Sequence, residues 1–339
     1  MFGIDTTSPA VALDVNGRIN AAKSYRIANI DILSLPVNMS NTAVGVEALK
    51  NTTGSNNTGV GYFALQANTS GSNNTAIGLE ALEANTTGTD NTADGYAALG
   101  ASKKASGNTA TGSFSLANST GDDNTGDGYR TLGSNMTGKN NTAIGSDALS
   151  ENETGSNNIA IGYQAAMNVS ISNGNNIHIG NTGAFGDSST IRIGTSGSQN
   201  LFFAAGVRGV TTGSNDAVAV LIDSNGQLGT VSSSARYKED IRDMGEASQG
   251  LMQLRPVTFR YRKAFNDGSK PLQYGLIAEE VGEVYPDLVT RTTDGQVDAV
   301  KYQVLDSMLL NELQRQEKVI EELEKRLARM ETELSERAR

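Results

Sequence analysis

A serine stands five residues before a lysine in Ser232-Ser233-Ser234-Ala235-Arg236-Tyr237-Lys238-Glu239-Asp240-Ile241. A serine becomes a nucleophile when a base takes its proton, and a lysine in its neutral form is one such base. The chain has no cysteine, and its one histidine, His178, lies far upstream, so a Ser-His-Asp triad within one domain and thiol catalysis are both excluded. Residues i and i+5 share no helix face, and in a strand they point to opposite sides. Ser233 and Lys238 must therefore meet through a turn or across chains. The same residues read equally well as an ordinary polar linker.

Other residue sets invite chemistry less strongly. Asp122, Asp123 and Asp127 suggest a calcium site, but the repeating acidic nonapeptide of calcium-binding β-helices is missing. Asp94 and Asp127 replace an apolar slot held by Val60 or Ile77 elsewhere, which marks a solvent-facing coil or an ion on a symmetry axis. His178 within Ile177-His178-Ile179-Gly180 reads as an outward strand residue; in a trimer, three copies would meet on the axis. Asn51-Thr52-Thr53, Asn68-Thr69-Ser70 and Asn85-Thr86-Thr87 fit the glycosylation sequon, yet they recur with the repeat and read as turn chemistry. Neither a cofactor nor a metal centre is implied.

Composition narrows the function further. Aromatics make up 5% of 339 residues, Trp is absent, and most of the 38 glycines fall in the first two thirds. That is unlike a compact enzyme core and like a quasi-linear repeat. A formal net charge of -10 argues against nucleic acid and anionic membrane as partners. No apolar run approaches the roughly 20 residues that span a bilayer. Met1-Phe2-Gly3-Ile4-Asp5 does not begin a signal peptide, so an extracellular role implies lysis, another export route or a longer chain.

The elements that position the serine come in order. Ser8 to Ala21 reads as two short strands around Asn16-Gly17, a cap or attachment segment within residues 1–40. From Asn41 the pentad Asn-Thr-Ala-x-Gly recurs, with glycines at Gly45, Gly61, Gly78, Gly95, Gly112, Gly128, Gly145 and Gly162, mostly 16 or 17 residues apart. A fixed period means stacked coils of a solenoid over residues 41–197. At roughly 4.8 Å per coil, about ten coils give a rod of about 50 Å. Small Ala, Val and Ile positions predict a thin core, with Gly at corners and Asn and Thr bonded to local backbone. Asn141-Thr142-Ala143-Ile144-Gly145 and Asn158-Ile159-Ala160-Ile161-Gly162-Tyr163-Gln164-Ala165 resemble the head repeats of trimeric autotransporter adhesins and repeats of phage tail fibres. The resemblance implies trimers of left-handed parallel β-rolls. Residues 198–231 read as a β neck, with strands at Leu201–Val207 and Ala217–Asp223 and a hairpin turn at Ser224–Gly229.

Beyond the border, Ser248 to Leu254 is amphipathic, Pro256 to Arg262 alternates as a strand, and Tyr274 to Val289 reads as strand, helix, stop and strand. Residues 301–339 form a helix with a/d positions at Leu309, Leu313, Gln316, Ile320, Leu323, Leu327, Met330 and Leu334. Arg326 at g and Glu331 at e suit a trimeric coiled coil. Residues 232–339 resemble the endosialidase-type intramolecular chaperone of phage tail spikes and fibres. The landmarks are Ser233 with Arg236 and Lys238, Leu254-Arg255-Pro256-Val257, Gly275-Leu276-Ile277-Ala278-Glu279-Glu280-Val281, and the terminal helix.

That resemblance implies an α+β module, residues 232–300 plus the coiled coil, which registers three chains and then cleaves itself off. By position the nucleophile is Ser233 and the base Lys238, with the cut at Ser233-Ser234. Where the family carries Asp after the serine, this chain has Ser234. Attack of the Ser234 hydroxyl on the Ser233 carbonyl passes through a five-membered ring, which leaves either serine as the nucleophile. Activity would be at most a single-turnover serine peptidase with no external substrate. Scattered carboxylates rank a polysaccharide hydrolase low. The expected protein is a homotrimeric tail or surface fibre on a phage-like particle, joined N-terminally to a larger fibre or baseplate and binding a host glycan or protein receptor. The alternative is a bacterial trimeric adhesin with an uncleaved trimerisation domain.

Overall fold

A computed structural model describes residues 24–27, 30–34, 40–292 and 294–337. The hairpin expected within Ser8–Ala21 lies outside the described residues. The chain divides into two compact units, Met1–Ala205 and Gly206–Arg339.

The first unit carries one twelve-stranded sheet. An antiparallel pair, β1 (Ser24–Ile27) and β2 (Ile30–Ser34), leads into ten short strands that stack in parallel. These are β3 (Thr42–Val44), β4 (Thr58–Val60), β5 (Thr75–Ile77), β6 (Thr92–Asp94) and β7 (Thr109–Thr111), followed by β8 (Thr125–Asp127), β9 (Thr142–Ile144), β10 (Ile159–Ile161), β11 (Ile177–Ile179) and β12 (Ile191–Ile193). Register is kept without slippage, so equivalent residues of successive repeats form columns.

Each strand is three residues long, and period-two alternation turns only its middle residue inward. That column is Ala43, Gly59, Ala76, Ala93, Ala110, Gly126, Ala143 and Ala160, whose alanines are buried. The glycine after the strand turns the corner at positive φ, and no side chain fits there: a Cβ on Gly145 would lie 2.7 Å from the backbone of Gly162. An Ala-Leu pair then closes the core, as in Ala81-Leu82 and Ala98-Leu99. These leucines sit at φ near 50, as Leu82 and Leu149 show. A left-handed conformation costs about 1–2 kcal/mol for such a residue. Full burial of the isobutyl group returns about 1.5–3 kcal/mol, and each N–H finds a carbonyl in the next coil, as Leu82 does at Ala98 over 3.0 Å.

Two expectations about the repeat are corrected here. The core is Ala and Leu rather than Ala, Val and Ile: Ile77, Ile144 and Ile161 occupy the third strand position and are 41%, 39% and 37% exposed. The asparagines do not serve local backbone alone. Asn57, Asn74, Asn91, Asn108, Asn124, Asn141 and Asn158 point inward and form a ladder, each side-chain oxygen accepting the backbone N–H of its equivalent one coil on. The amide nitrogen of Asn141 donates to Gly155 O at 2.9 Å. A second inward ladder links Asn68 to Asn85 and Asn135 to Asn152, each over 2.8 Å.

Structure is sparse where the first unit ends and the second begins. No strand forms at Leu201–Val207, contrary to expectation; Leu201, Phe202 and Phe203 are exposed and pair with no strand among the described residues. The expected hairpin is present as β13 (Leu221–Ile222) and β14 (Leu228–Gly229). Its turn is held by Asp223 Oδ1, which accepts from Asn225 N and Gln227 N at 2.9 Å each.

After the border, 3-10 helices cover Ala235–Tyr237 and Gly245–Gln253. Strand β15 (Val257–Phe259) pairs with β16 (Gln273–Gly275), helix α1 spans Ala278–Val284, and β17 (Val289–Arg291) pairs with β18 (Val297–Val300). Helix α2 runs from Tyr302 to Arg337. Val281, Leu288, Val289, Leu305 and Met308 make the core, so only the start of α2 packs on its own domain. Ser248, fully buried, anchors that contact: it donates to Glu312 Oε2 at 3.1 Å and accepts from Asn311 Nδ2 at 2.6 Å. From Leu309 onward the heptad residues Leu313, Ile320, Leu323, Leu327, Met330 and Leu334 are exposed.

Candidate functional site

Ser233 and Lys238 flank a single 3-10 turn. Ser234 caps it: with extended backbone, its hydroxyl accepts from Arg236 N at 3.4 Å and from Arg236 Nε at 3.2 Å. Its carbonyl accepts from Tyr237 N at 3.1 Å, and Ala235 O accepts from Lys238 N at 3.2 Å. A short polar residue before a tight turn does this because its oxygen replaces a missing backbone acceptor. The Arg236 guanidinium lies 5.6 Å from the Tyr237 ring centroid, which holds the arginine over the turn.

Ser233 and Lys238 are both exposed, and among the described residues no hydrogen bond joins them. Proton transfer needs the two heavy atoms within about 2.6–3.2 Å or one bridging water. Ser234 is half-buried, with its hydroxyl committed to Arg236.

The other sequence candidates separate clearly. His178 does not face outward: it is fully buried, because it occupies the middle of β11 in register with Ala160. Copies from neighbouring chains cannot meet through it. Its Nε2 lies 3.8 Å from Asp187 Oδ2, and Asp187 is clamped by Arg192 Nε and Nη2 at 2.6 Å each. Among the described residues no well-aligned hydrogen bond reaches either imidazole nitrogen. Burial pushes the imidazole below its ordinary value, the Asp187 carboxylate opposes this, and Arg192 adds to it. Arg192 in turn holds Asp187 below the usual carboxylate range.

Asp122 is ion-paired with Lys139 at 2.7 Å, and among the described residues no group of three His, Asp or Glu side chains could hold a metal ion. Asn68 and Asn85 of the sequons are buried in their ladder, which removes their amides from any modifying enzyme in the folded chain. Asp94 and Asp127 are exposed, because their column faces out of the coil. The inward asparagines and the His178-Asp187-Arg192 cluster were not foreseen. The signal for the first was the recurrence of Asn at one phase of the period.

With this geometry in place, comparison with known proteins identifies the C-terminal region. Residues 233–290 match the family model for the chaperone of endosialidase, a match that begins at Ser233, includes Ser234 and Lys238, and ends within β17. No curated protein and no solved structure matches the chain. A parallel β-solenoid followed by an endosialidase-chaperone region fits a tail-fibre-like protein. Among the described residues no helix is long and apolar enough to cross a membrane.

Proposed function

We propose that this chain is a homotrimeric tail-fibre or surface-fibre protein whose solenoid binds a host or cell surface. Its C-terminal region drives trimer folding, then releases itself by cleavage at Ser233-Ser234. The observation that carries this reading is the family match starting at Ser233, which follows a parallel solenoid and a short hairpin segment in the chain. The exposed heptad stripe of α2 supports a three-helix assembly, since seven large apolar residues on one face are costly in water. Ser233 is the nucleophile and Lys238 the base, brought together when the chains assemble. The extracellular tail of a phage-like particle is the setting that such a region suggests, with N-terminal attachment to a larger fibre or baseplate. An adhesin whose trimerisation domain stays attached is the second reading. It is favoured by the exposure of both Ser233 and Lys238 and by the lack of a bond between them.

Denaturing electrophoresis with intact mass on wild type, Ser233→Ala and Lys238→Ala tests the cleavage. Two fragments divided at Ser233-Ser234 in wild type, and one uncut chain in both variants, are expected. An uncut wild type would remove the peptidase role and favour the adhesin. Cleavage persisting in Lys238→Ala would remove the assigned base.

A further inference from the structure

One window of the solenoid differs from the rest. The third strand position is Ile in β5, β9 and β10, but Asp94, Thr111 and Asp127 in β6, β7 and β8, which are consecutive in register. In the first and last of these coils the acid is followed, across the corner glycine, by tyrosine: Asp94-Gly95-Tyr96 and Asp127-Gly128-Tyr129. Between them the corner carries Phe114. The three rings form one row: Tyr96 and Phe114 meet edge to face at 4.9 Å, and Phe114 and Tyr129 at 6.3 Å. They remain 42%, 36% and 49% exposed.

We propose that Asp94, Tyr96, Phe114, Asp127 and Tyr129 form a binding site for a neutral polysaccharide. This deepens the surface-binding reading above and rests on it. Phe114 stands nearly perpendicular to Tyr96 and Tyr129, so the row presents ring faces and edges in turn; an exposed face stacks on the C–H face of a sugar ring, and a carboxylate accepts hydrogen bonds from its hydroxyls. Among the described residues neither Asp94 nor Asp127 has an ion pair or a side-chain hydrogen bond, so both keep their acceptor capacity. Two strand steps separate them, roughly 9.6 Å, a span that suits consecutive linked hexoses. The acid and the aromatic in each pair are two residues apart, within about 7 Å of backbone.

Charge selects among occupants. Two uncompensated carboxylates repel sialylated, uronic or phosphorylated glycans. A second copy of the chain laid on this window would bury them unpaired, a heavy cost that the isoleucine coils on either side do not carry. A neutral, hydroxyl-rich ligand satisfies both the rings and the acids.

The test uses the full chain on an array of neutral and acidic oligosaccharides, together with binding to host cells. Wild type should bind neutral hexose-containing glycans. Tyr96→Ala/Tyr129→Ala and Asp94→Asn/Asp127→Asn should each weaken that binding roughly tenfold or more, with unchanged unfolding temperature and oligomeric mass. Binding confined to acidic glycans, or no glycan binding by wild type, overturns the site. So does a fall in oligomeric mass in the tyrosine variant, which would assign the row to an interface between chains. If wild type and both variants bind cells equally, the site fails while the surface-binding reading stands. If wild type binds neither cells nor glycans, both fail.

Discussion

The backbone N–H of Asn158 is held by the buried Oδ1 of Asn141 at 3.0 Å, and the backbone N–H of Asn141 is held in the same way by Asn124. Coil is thus locked to coil through the interior as well as along the sheet. Because the donor lies 17 residues from its acceptor, the bond exists only when two coils have stacked. The ladder makes stacking cooperative, which suits an apolar core built mostly of Ala and Leu.

Asn141→Ala removes the acceptor of the buried Asn158 N, while Gly155 O keeps a second donor, Asn152 Nδ2 at 3.0 Å. One orphaned buried group costs about 1–3 kcal/mol, and a loss of that size is expected in denaturant unfolding. Thr109→Ala, on an exposed strand position, should stay within about 0.5 kcal/mol. Equal losses in the two variants would remove the ladder from the stability of the fold.

Gly145→Ala should be far worse than Gly186→Ala. At Gly145 φ is 113 and the added carbon would meet Gly162 backbone at 2.7 Å, whereas nothing lies within 4 Å at Gly186. Neither backbone can yield without breaking the coil. Far-ultraviolet circular dichroism and the soluble fraction should fall for the first and hold for the second.

Much of this was legible beforehand, and the gaps have a physical pattern. The period, the corner glycines, the hairpin at Ser224–Gly229 and the helix from Tyr302 were readable because each depends on local chemistry or simple periodicity. The inward direction of His178 was not. In a three-residue strand, phase decides facing, and Ile177 and Ile179 look like a core pair until the register with Ala160 is known. The absence of a strand at Leu201–Val207 shows the converse: apolar residues alone do not make a strand without an edge to pair with. Ser233, Ser234 and Lys238 were legible as a set, but that a serine caps the turn through Arg236 depends on backbone angles no spacing reveals.

His178 sets a pH dependence. Its folded value lies below the ordinary one of about 6.5, so below that pH the unfolded chain binds a proton that the folded chain resists. Stability is therefore undiminished above about pH 6.5 and falls as pH drops toward the folded value. Asp187, held low by Arg192, acts in a separate and more acidic window, losing its contribution only as pH falls below about 3.9. His178→Ala, which restores the residue type of Ala160, should flatten the unfolding midpoint between pH 5 and 7 (about the histidine range). A midpoint that still declines across that range would assign it elsewhere.

The apolar stripe of α2 should set the oligomeric state. Leu323→Asp/Leu327→Asp places two charges at adjacent d and a positions that are exposed in the single chain and would be covered in the proposed trimer. Light scattering should show a trimer for wild type and a monomer for the variant. The domain core should survive, since Val281, Leu305 and Met308 are untouched. A monomeric wild type would overturn the trimer itself.

On the cleavage proposed above, Ser234 should set how readily the junction breaks. Its hydroxyl holds Arg236 through long contacts of 3.4 and 3.2 Å, where a carboxylate would make shorter, charge-assisted bonds of about 2.7–2.9 Å. Ser234→Asp, which restores the residue that the resembled family carries here, should stiffen the turn between Ser233 and Lys238 and raise the cleavage rate. Ser234→Ala separates the two serines. If Ser233 is the nucleophile, the alanine variant keeps a slower cut, because only the cap is lost. If Ser234 attacks the Ser233 carbonyl, cleavage stops in both Ser234 variants and in neither case does Lys238 need to reach Ser233. A time course of fragment appearance for the three proteins distinguishes these outcomes, and a Ser234→Asp variant that cleaves no faster than wild type would show that the cap does not limit the reaction.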